Sequence, residues 1–125
     1  MKLSLVLTLL LISNISFADN VDKYIINYES VSEALESLSN DKQAEIRKER
    51  NWAIVNTKGT DEMSIYSFTP SGHPAHPAVV KRTVYEENGT VNIALHALCE
   101  AEKNECDKLV NQFQEMVNNM KSRLK

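Results

Sequence analysis

The chain has 125 residues, of which 42% are hydrophobic and 25% are charged, and its formal net charge is −3 at pH 7. This mildly acidic balance argues against nucleic acid or anionic lipid as a partner, because both require clustered lysine and arginine. The length allows one domain with a single modest core.

The amino terminus has the pattern of an export signal. Met1 and Lys2 are followed by the apolar run LSLVLTLLLI, and Ser16 and Ala18 occupy the two small-residue positions that a signal peptidase reads. A membrane anchor is the alternative, but a span requires about 20 apolar residues and this run is much shorter. We therefore predict a signal peptide cleaved after Ala18 and a mature chain, residues 19–125, that is periplasmic or secreted and has no membrane span.

The mature chain contains two cysteines, Cys99 and Cys106. In an oxidising compartment an even pair close in sequence most often forms a disulfide, and closing this short loop would stabilise the domain by about 2.5 kcal/mol in the chain-entropy model. A redox couple or a metal-thiolate site is the alternative, but the spacing matches neither redox dithiols nor zinc knuckles. The sequence thus predicts a structural disulfide.

The first part of the mature chain is predicted to hold a helix. Residues 19–29 contain alternating apolar residues that fit either an edge strand or a flexible lead-in to the helix. Ser30 and Glu33 then form a capping-box pattern, and apolar residues follow at helical spacing, so a helix is expected from near Val31. The helical pattern is interrupted around residues 39–41 and ends near Arg50. The mixed charges just before that point indicate a solvated helix face.

From Asn51 the apolar period changes from about 3.6 to 2, which predicts two hairpins. The first joins a strand that starts at Trp52 to a strand over Met63–Phe68. The second joins Val79–Glu86 to Val91–Leu98 through Asn88 and Gly89, a dipeptide that tolerates the positive φ angles of a two-residue turn. If these two residues form the loop, the residue numbers of any two partners that face each other across the hairpin sum to 177. Val84 then faces Ile93, Arg82 faces Leu95, and Lys81 faces His96.

The strongest helical pattern begins at Cys106. Acidic residues at its start and basic residues at its end suit the helix dipole. Met116 and Met120 allow an alternative interpretation as a partner-binding groove or a soft metal site, but methionines at helical spacing among Leu, Val and Phe usually belong to the core. We expect this helix to be the main cover of the sheet. Seven apolar side chains after Cys106 are expected to be buried: Leu109, Val110, Phe113, Met116, Val117, Met120 and Leu124.

The loop SGHPAHP, Ser71–Pro77, concentrates histidine and proline. A metal site would require His73 and His76 to converge, with His96 as the remaining candidate ligand. Residues before proline are extended, which keeps the two rings apart, and Lys81 opposite His96 disfavours a cation. The metal interpretation is therefore the alternative, and we predict no cofactor.

No catalytic residue is predicted, because no pattern places a nucleophile, an orienting acid and an oxyanion hole together. The SGHPAHP loop is interpreted as a proline-stiffened connector between the hairpins. Such a loop is also a candidate recognition surface, since rigidity lowers the entropy lost on binding, and the loop's two histidines could make that binding depend on pH. This candidate recognition loop comprises His73, Pro74, His76, Pro77, Lys81 and Arg82.

The run SFTPSGHPAHP at Ser67–Pro77 and the run VVKR at Val79–Arg82, with Cys99 and Cys106 downstream, resemble small exported proteins of Gram-negative bacteria. The similarity covers the part of the chain from Ser67 onward. It implies periplasmic residence and no activity, so no functional residue is carried over from it.

Taken together, the patterns predict a single α+β domain over residues 19–125. We expect a helix, a four-stranded antiparallel meander sheet and a long carboxy-terminal helix, with both helices on one sheet face and the other face open. The open face would then be the working surface. The functional hypothesis is a non-catalytic binding or protein-interaction module, of the inhibitor or accessory type, with a protein partner in the cell envelope. The alternative is a periplasmic metal-binding protein that uses His73 and His76.

Overall fold

The computed structural model describes residues 23–124. The predicted signal peptide, residues 1–18, lies outside this range. The described residues form one antiparallel sheet in the order β1-β2-β3-β4-β5, with a short helix before it and a long helix after it. The elements are α1 (Val31–Ser39), β1 (Glu45–Glu49), β2 (Trp52–Lys58), β3 (Glu62–Phe68), β4 (Ala78–Glu87), β5 (Thr90–Cys99) and α2 (Lys103–Arg123).

The α+β class is confirmed, but the sheet has five strands and not four. The additional strand is β1, where the sequence predicted helix, and it pairs antiparallel with β2 so that Glu49 lies opposite Trp52. Arg50 (φ 50°) and Asn51 (φ 72°) both adopt positive φ and form the two-residue turn between the strands. The residues of β1 are mostly good helix formers, but pairing with β2 decides their conformation.

The predicted register of the second hairpin is confirmed along its whole length. Asn88 (φ 53°) and Gly89 (φ 77°) form the turn between β4 and β5. Val84 lies opposite Ile93 and Lys81 lies opposite His96, as expected.

The two helices cover opposite faces of the sheet, so the expectation of one covered and one open face is wrong. Val79 and Val80 are neighbours in β4 and therefore point to opposite faces. Val79 packs in a cluster with Ala34 and Leu38 of α1. Val80 packs in a second cluster with α2. Both helices can pack on the sheet because both faces of its central strands carry apolar residues.

Residues 23–29 form neither an edge strand nor a loose lead-in, and residues 19–22 of the segment predicted above lie outside the described range. The ring of Tyr24 stacks on that of Tyr85 in β4 with 4.5 Å between centroids. The backbone N–H of Ile26 donates to Nδ1 of His96 in β5, at 3.2 Å. Tyr24 and Ile26 are both buried. The segment therefore covers the part of the α1-side face that α1 leaves uncovered.

The predicted disulfide is confirmed, with Cys99 bonded to Cys106 across a Cα–Cα distance of 5.8 Å. It joins the end of β5 to the first turn of α2. The buried stripe of α2 is narrower than expected, because only three of the seven predicted residues are buried: Leu109, Phe113 and Val117. Met116 and Leu124 are exposed. Neither helix within residues 23–124 is long and apolar enough to cross a membrane.

Candidate functional site

An open cleft of about 700 Å³ lies between α2 and the side of the sheet where β1 and β2 run. We call it the α2–sheet cleft. This volume is within the usual range of ligand pockets, which is about 300–1,000 Å³. The residues that line the cleft are Glu49, Arg50, Trp52, Ile54, Ser67, Arg82, Gln112, Phe113 and Met116.

Arg82 forms the floor of the α2–sheet cleft. It belongs to the central strand β4, where its neighbours across the sheet are Ile65 and Leu95. Its guanidinium carbon lies 5.4 Å from the ring centroid of Phe113 in α2, which is a cation–π contact. The Nε atom of Arg82 is buried and has no hydrogen-bond partner among residues 23–124. A buried donor without a partner costs about 1–3 kcal/mol in stability. No hydrogen bond within residues 23–124 offsets this cost at Arg82.

The charges around Arg82 compensate its own charge only in part. Burial lowers the pKa of Arg82, the nearby Arg47 lowers it further, and Glu49 acts in the opposite direction. The guanidinium nevertheless stays protonated, because arginine does not lose its proton in proteins. Glu49 already pairs with Arg47 at 3.4 Å. Within the described part of the chain, no carboxylate forms an ion pair with Arg82.

Aromatic and aliphatic groups form the walls of the cleft. Trp52 on β2 and Phe113 on α2 are inclined to each other with 6.0 Å between ring centroids. Met116 lies one turn further along α2 and is 45% exposed. The cleft therefore offers an apolar surface around one cationic group. Met116 therefore lines the cleft and is not buried in the core, where the sequence pattern predicted it.

The SGHPAHP loop packs against Trp52, which lines the cleft. The ring of His73 packs edge-on against Trp52 with 5.2 Å between centroids. Nδ1 of His73 accepts a hydrogen bond from the N–H of Ala75 at 3.0 Å, which fixes the ring. Nδ1 of His76 lies 2.9 Å from the hydroxyl of Thr69. These contacts hold the loop against Trp52 and against Thr69, the residue that follows β3, which agrees with its interpretation as a stiff connector.

The structure does not bring the predicted recognition residues together on one surface. Lys81 and Arg82 are neighbours in a strand and therefore point to opposite faces. The ammonium of Lys81 lies 3.4 Å from the carbonyl oxygen of Ile25 and 5.3 Å from the centroid of the Tyr66 ring. His96 lies opposite Lys81 on the same face. Of the predicted set, Arg82 lines the cleft and His73 supports it.

The metal alternative would need a cluster of ligands around the histidines. Within residues 23–124 no group of three or more His, Cys, Asp or Glu side chains converges on a point where an ion would bind. The Nδ1 atoms of His73 and His76 both take part in the contacts described above. Only the Nε2 atoms of these rings would be available to a metal.

Most of the cleft is not predictable from the sequence. The sequence pattern places Trp52 in a strand and Phe113 in a helix, but it does not show that the two side chains meet. One signal was available: the predicted register placed Arg82 opposite Leu95 on an otherwise apolar face. An arginine at such a position indicates either a buried ion pair or a binding site.

Comparison of the chain with protein-family models, with curated proteins and with solved structures finds no significant match.

Proposed function

We propose that the chain is an exported, non-catalytic interaction module whose α2–sheet cleft binds an extended segment of a partner protein. The segment carries an acidic side chain between apolar ones. The observation that carries this proposal is the buried Nε of Arg82, for which residues 23–124 provide no hydrogen-bond partner.

A carboxylate is the group that best satisfies Arg82. The guanidinium presents its donors in a planar fork, and carboxylates accept two parallel hydrogen bonds from such a fork. The site is partly desolvated by Phe113 and the sheet, so a charge-assisted hydrogen bond there is worth more than one in water. Arg50 on the rim adds a second positive charge near the same cleft.

The shape and lining of the cleft favour an extended peptide segment. Trp52, Phe113 and Met116 offer apolar surface on the walls around the guanidinium, so apolar side chains that flank an acidic one would contact them. Aromatic residues, methionine and arginine are also the residues most enriched at protein interfaces. The amide of Gln112 and the hydroxyl of Ser67 add hydrogen-bonding capacity to the same surface.

The cellular setting rests on two features of the sequence. The pattern of Met1–Ala18 is that of a cleaved export signal. A disulfide in a small domain suits an oxidising compartment, and the Cys99–Cys106 bond is compatible with export. The partner would therefore be a component of the cell envelope or the exterior, bound by a periplasmic or secreted module.

Trp52 provides a direct test, because it is the only tryptophan in the chain and it lines the cleft. The probe is an acetylated and amidated peptide with one glutamate flanked by leucines. We expect a saturable change in Trp52 fluorescence when this peptide is added to the mature, oxidised protein.

The Met116→Glu variant places a competing carboxylate in the cleft and should weaken binding of the peptide about tenfold or more. Leu124→Glu is the matched control, because Leu124 is an exposed apolar residue at the end of the same helix and does not line the cleft. This variant should leave the affinity unchanged. The proposal fails if the peptide does not bind at all, or if both variants weaken binding equally.

A further inference from the structure

The two edges of the sheet differ strongly in charge and length. The edge strand β1 has five residues, and four of them are charged: Glu45, Arg47, Lys48 and Glu49. The edge strand β5, Thr90–Cys99, has ten residues and contains no Asp, Glu, Lys or Arg. Short, charged edge strands discourage pairing with another chain, whereas long uncharged ones favour it. Only the β1 edge has this protection.

The outer backbone groups of β5 have no strand to pair with in the described part of the chain. β5 is the last strand of the sheet and hydrogen-bonds to β4 on one side only. In an antiparallel ladder about half of the N–H and C=O groups of an edge strand point away from the sheet. Val91 near the turn is 47% exposed, so an apolar side chain accompanies these free groups.

Antiparallel pairing of a strand with its own copy brings each residue opposite one at an equal distance from the two-fold axis. For β1, an axis at Arg47 would place Glu45 against Glu49, so that two carboxylates repel each other. For β5, an axis at Leu95 would place Ala94 against His96 and Ile93 against Ala97. No like charges meet along that strand.

We infer that β5 pairs antiparallel with β5 of a second copy, which joins the two five-stranded sheets of a homodimer into one continuous sheet. The inference is independent of the proposed peptide binding. The α2–sheet cleft lies at the β1–β2 side of each sheet, away from β5, so both clefts of the dimer remain open. Such a dimer would present two binding sites to a partner and would gain avidity from them.

The mass of the mature, oxidised protein in sedimentation equilibrium tests this inference. We expect a twofold rise from the monomer to the dimer mass as the concentration increases. Ala94→Lys, at the middle of β5, should abolish that rise. The two introduced lysines would be diagonal neighbours across the axis on the same face of the sheet, and they would repel each other. Ile46→Lys makes a comparable change on β1 and should leave the dimer intact.

Hydrogen exchange of the unmodified protein provides a second test that does not depend on the folding of a variant. At high protein concentration the backbone amides of β5 should exchange more slowly than at low concentration, while those of β1 should not change. A monomer at every concentration would overturn the inference. A dimer whose protection appears in β1 and not in β5, or one that Ile46→Lys dissociates, would also overturn it.

Discussion

The guanidinium of Arg82 lies over the ring of Phe113, with 5.4 Å from its carbon to the ring centroid, and no described residue accepts a hydrogen bond from its buried Nε. The contact with Phe113 compensates part of the loss of hydration, but a ring face cannot replace the hydrogen bonds of an acceptor. The folded state therefore carries the unfavourable free energy of a buried donor at Arg82. Such positions occur preferentially at binding sites.

Replacement of Arg82 by methionine should separate binding from stability. Methionine retains an unbranched apolar chain against Phe113 and removes a buried donor that has no partner among residues 23–124. We expect the free energy of unfolding to stay the same or to rise by about 1 kcal/mol, while binding of the glutamate peptide weakens about tenfold or more. Urea unfolding and Trp52 fluorescence measure the two quantities on the same sample.

A structural role for Arg82 would give a different pattern. If the guanidinium stabilised the fold, Arg82→Met would lower the free energy of unfolding by several kcal/mol, as the loss of a buried ionic interaction does. Arg82→Lys is the companion variant, because it retains the charge without the planar fork. It should keep the fold and weaken peptide binding less than Arg82→Met does.

Acid should destabilise the contact between the amino-terminal segment and the sheet. Burial lowers the pKa of His96 below its ordinary value, and the charge of Lys81 lowers it further. Because the unfolded chain then binds the proton more readily than the folded one, the contribution of neutral His96 to stability is fully present above about pH 6.5 and is lost progressively as the pH falls from there through the lowered pKa of the folded state. Protonation also removes the Nδ1 acceptor of the Ile26 N–H.

His96→Asn is the matched variant for this prediction, because its side-chain oxygen can accept the same hydrogen bond and does not titrate. The free energy of unfolding of the natural protein should fall more steeply between pH 8 and pH 5 than that of His96→Asn. His73 and His76 are the same in both chains, so the difference isolates His96. Parallel profiles would contradict the assignment.

Removal of the disulfide should lower stability without unfolding the sheet. In the chain-entropy model the Cys99–Cys106 loop contributes about 2.5 kcal/mol, since it restricts the unfolded chain. The double variant Cys99→Ala/Cys106→Ala should therefore lose about that much in urea unfolding. An unchanged midpoint would show that the Cys99–Cys106 bond does not stabilise the fold by restricting the unfolded chain.

The sequence predicts β3, β4 and β5 well because their signals are local. Alternating apolar residues and the Asn88–Gly89 turn fix the second hairpin and its register within about twenty residues of chain. β1 was missed for the opposite reason. Its Glu, Lys and Arg residues favour a helix locally, and the Arg50–Asn51 turn that makes it a strand has no strong sequence signature.

The faces that the helices cover could not be predicted, because this property depends on packing between distant segments. The register showed that Val79 and Val80 point to opposite faces, yet nothing local assigns one to α1 and the other to α2. The cleft is a consequence of that arrangement. It forms where Trp52 of β2 and Met116 of α2, distant in sequence, border the same space.

The most direct test of the proposed function compares two peptides that differ in one group. The glutamate peptide and its glutamine counterpart are titrated by calorimetry into the natural protein and into Arg82→Met. The natural protein should prefer the glutamate peptide by about tenfold or more, which corresponds to about 1.4 kcal/mol, and the variant should bind the two equally. A preference for glutamate that survives in Arg82→Met would show that Arg82 does not read the carboxylate, and the account of the cleft would be wrong.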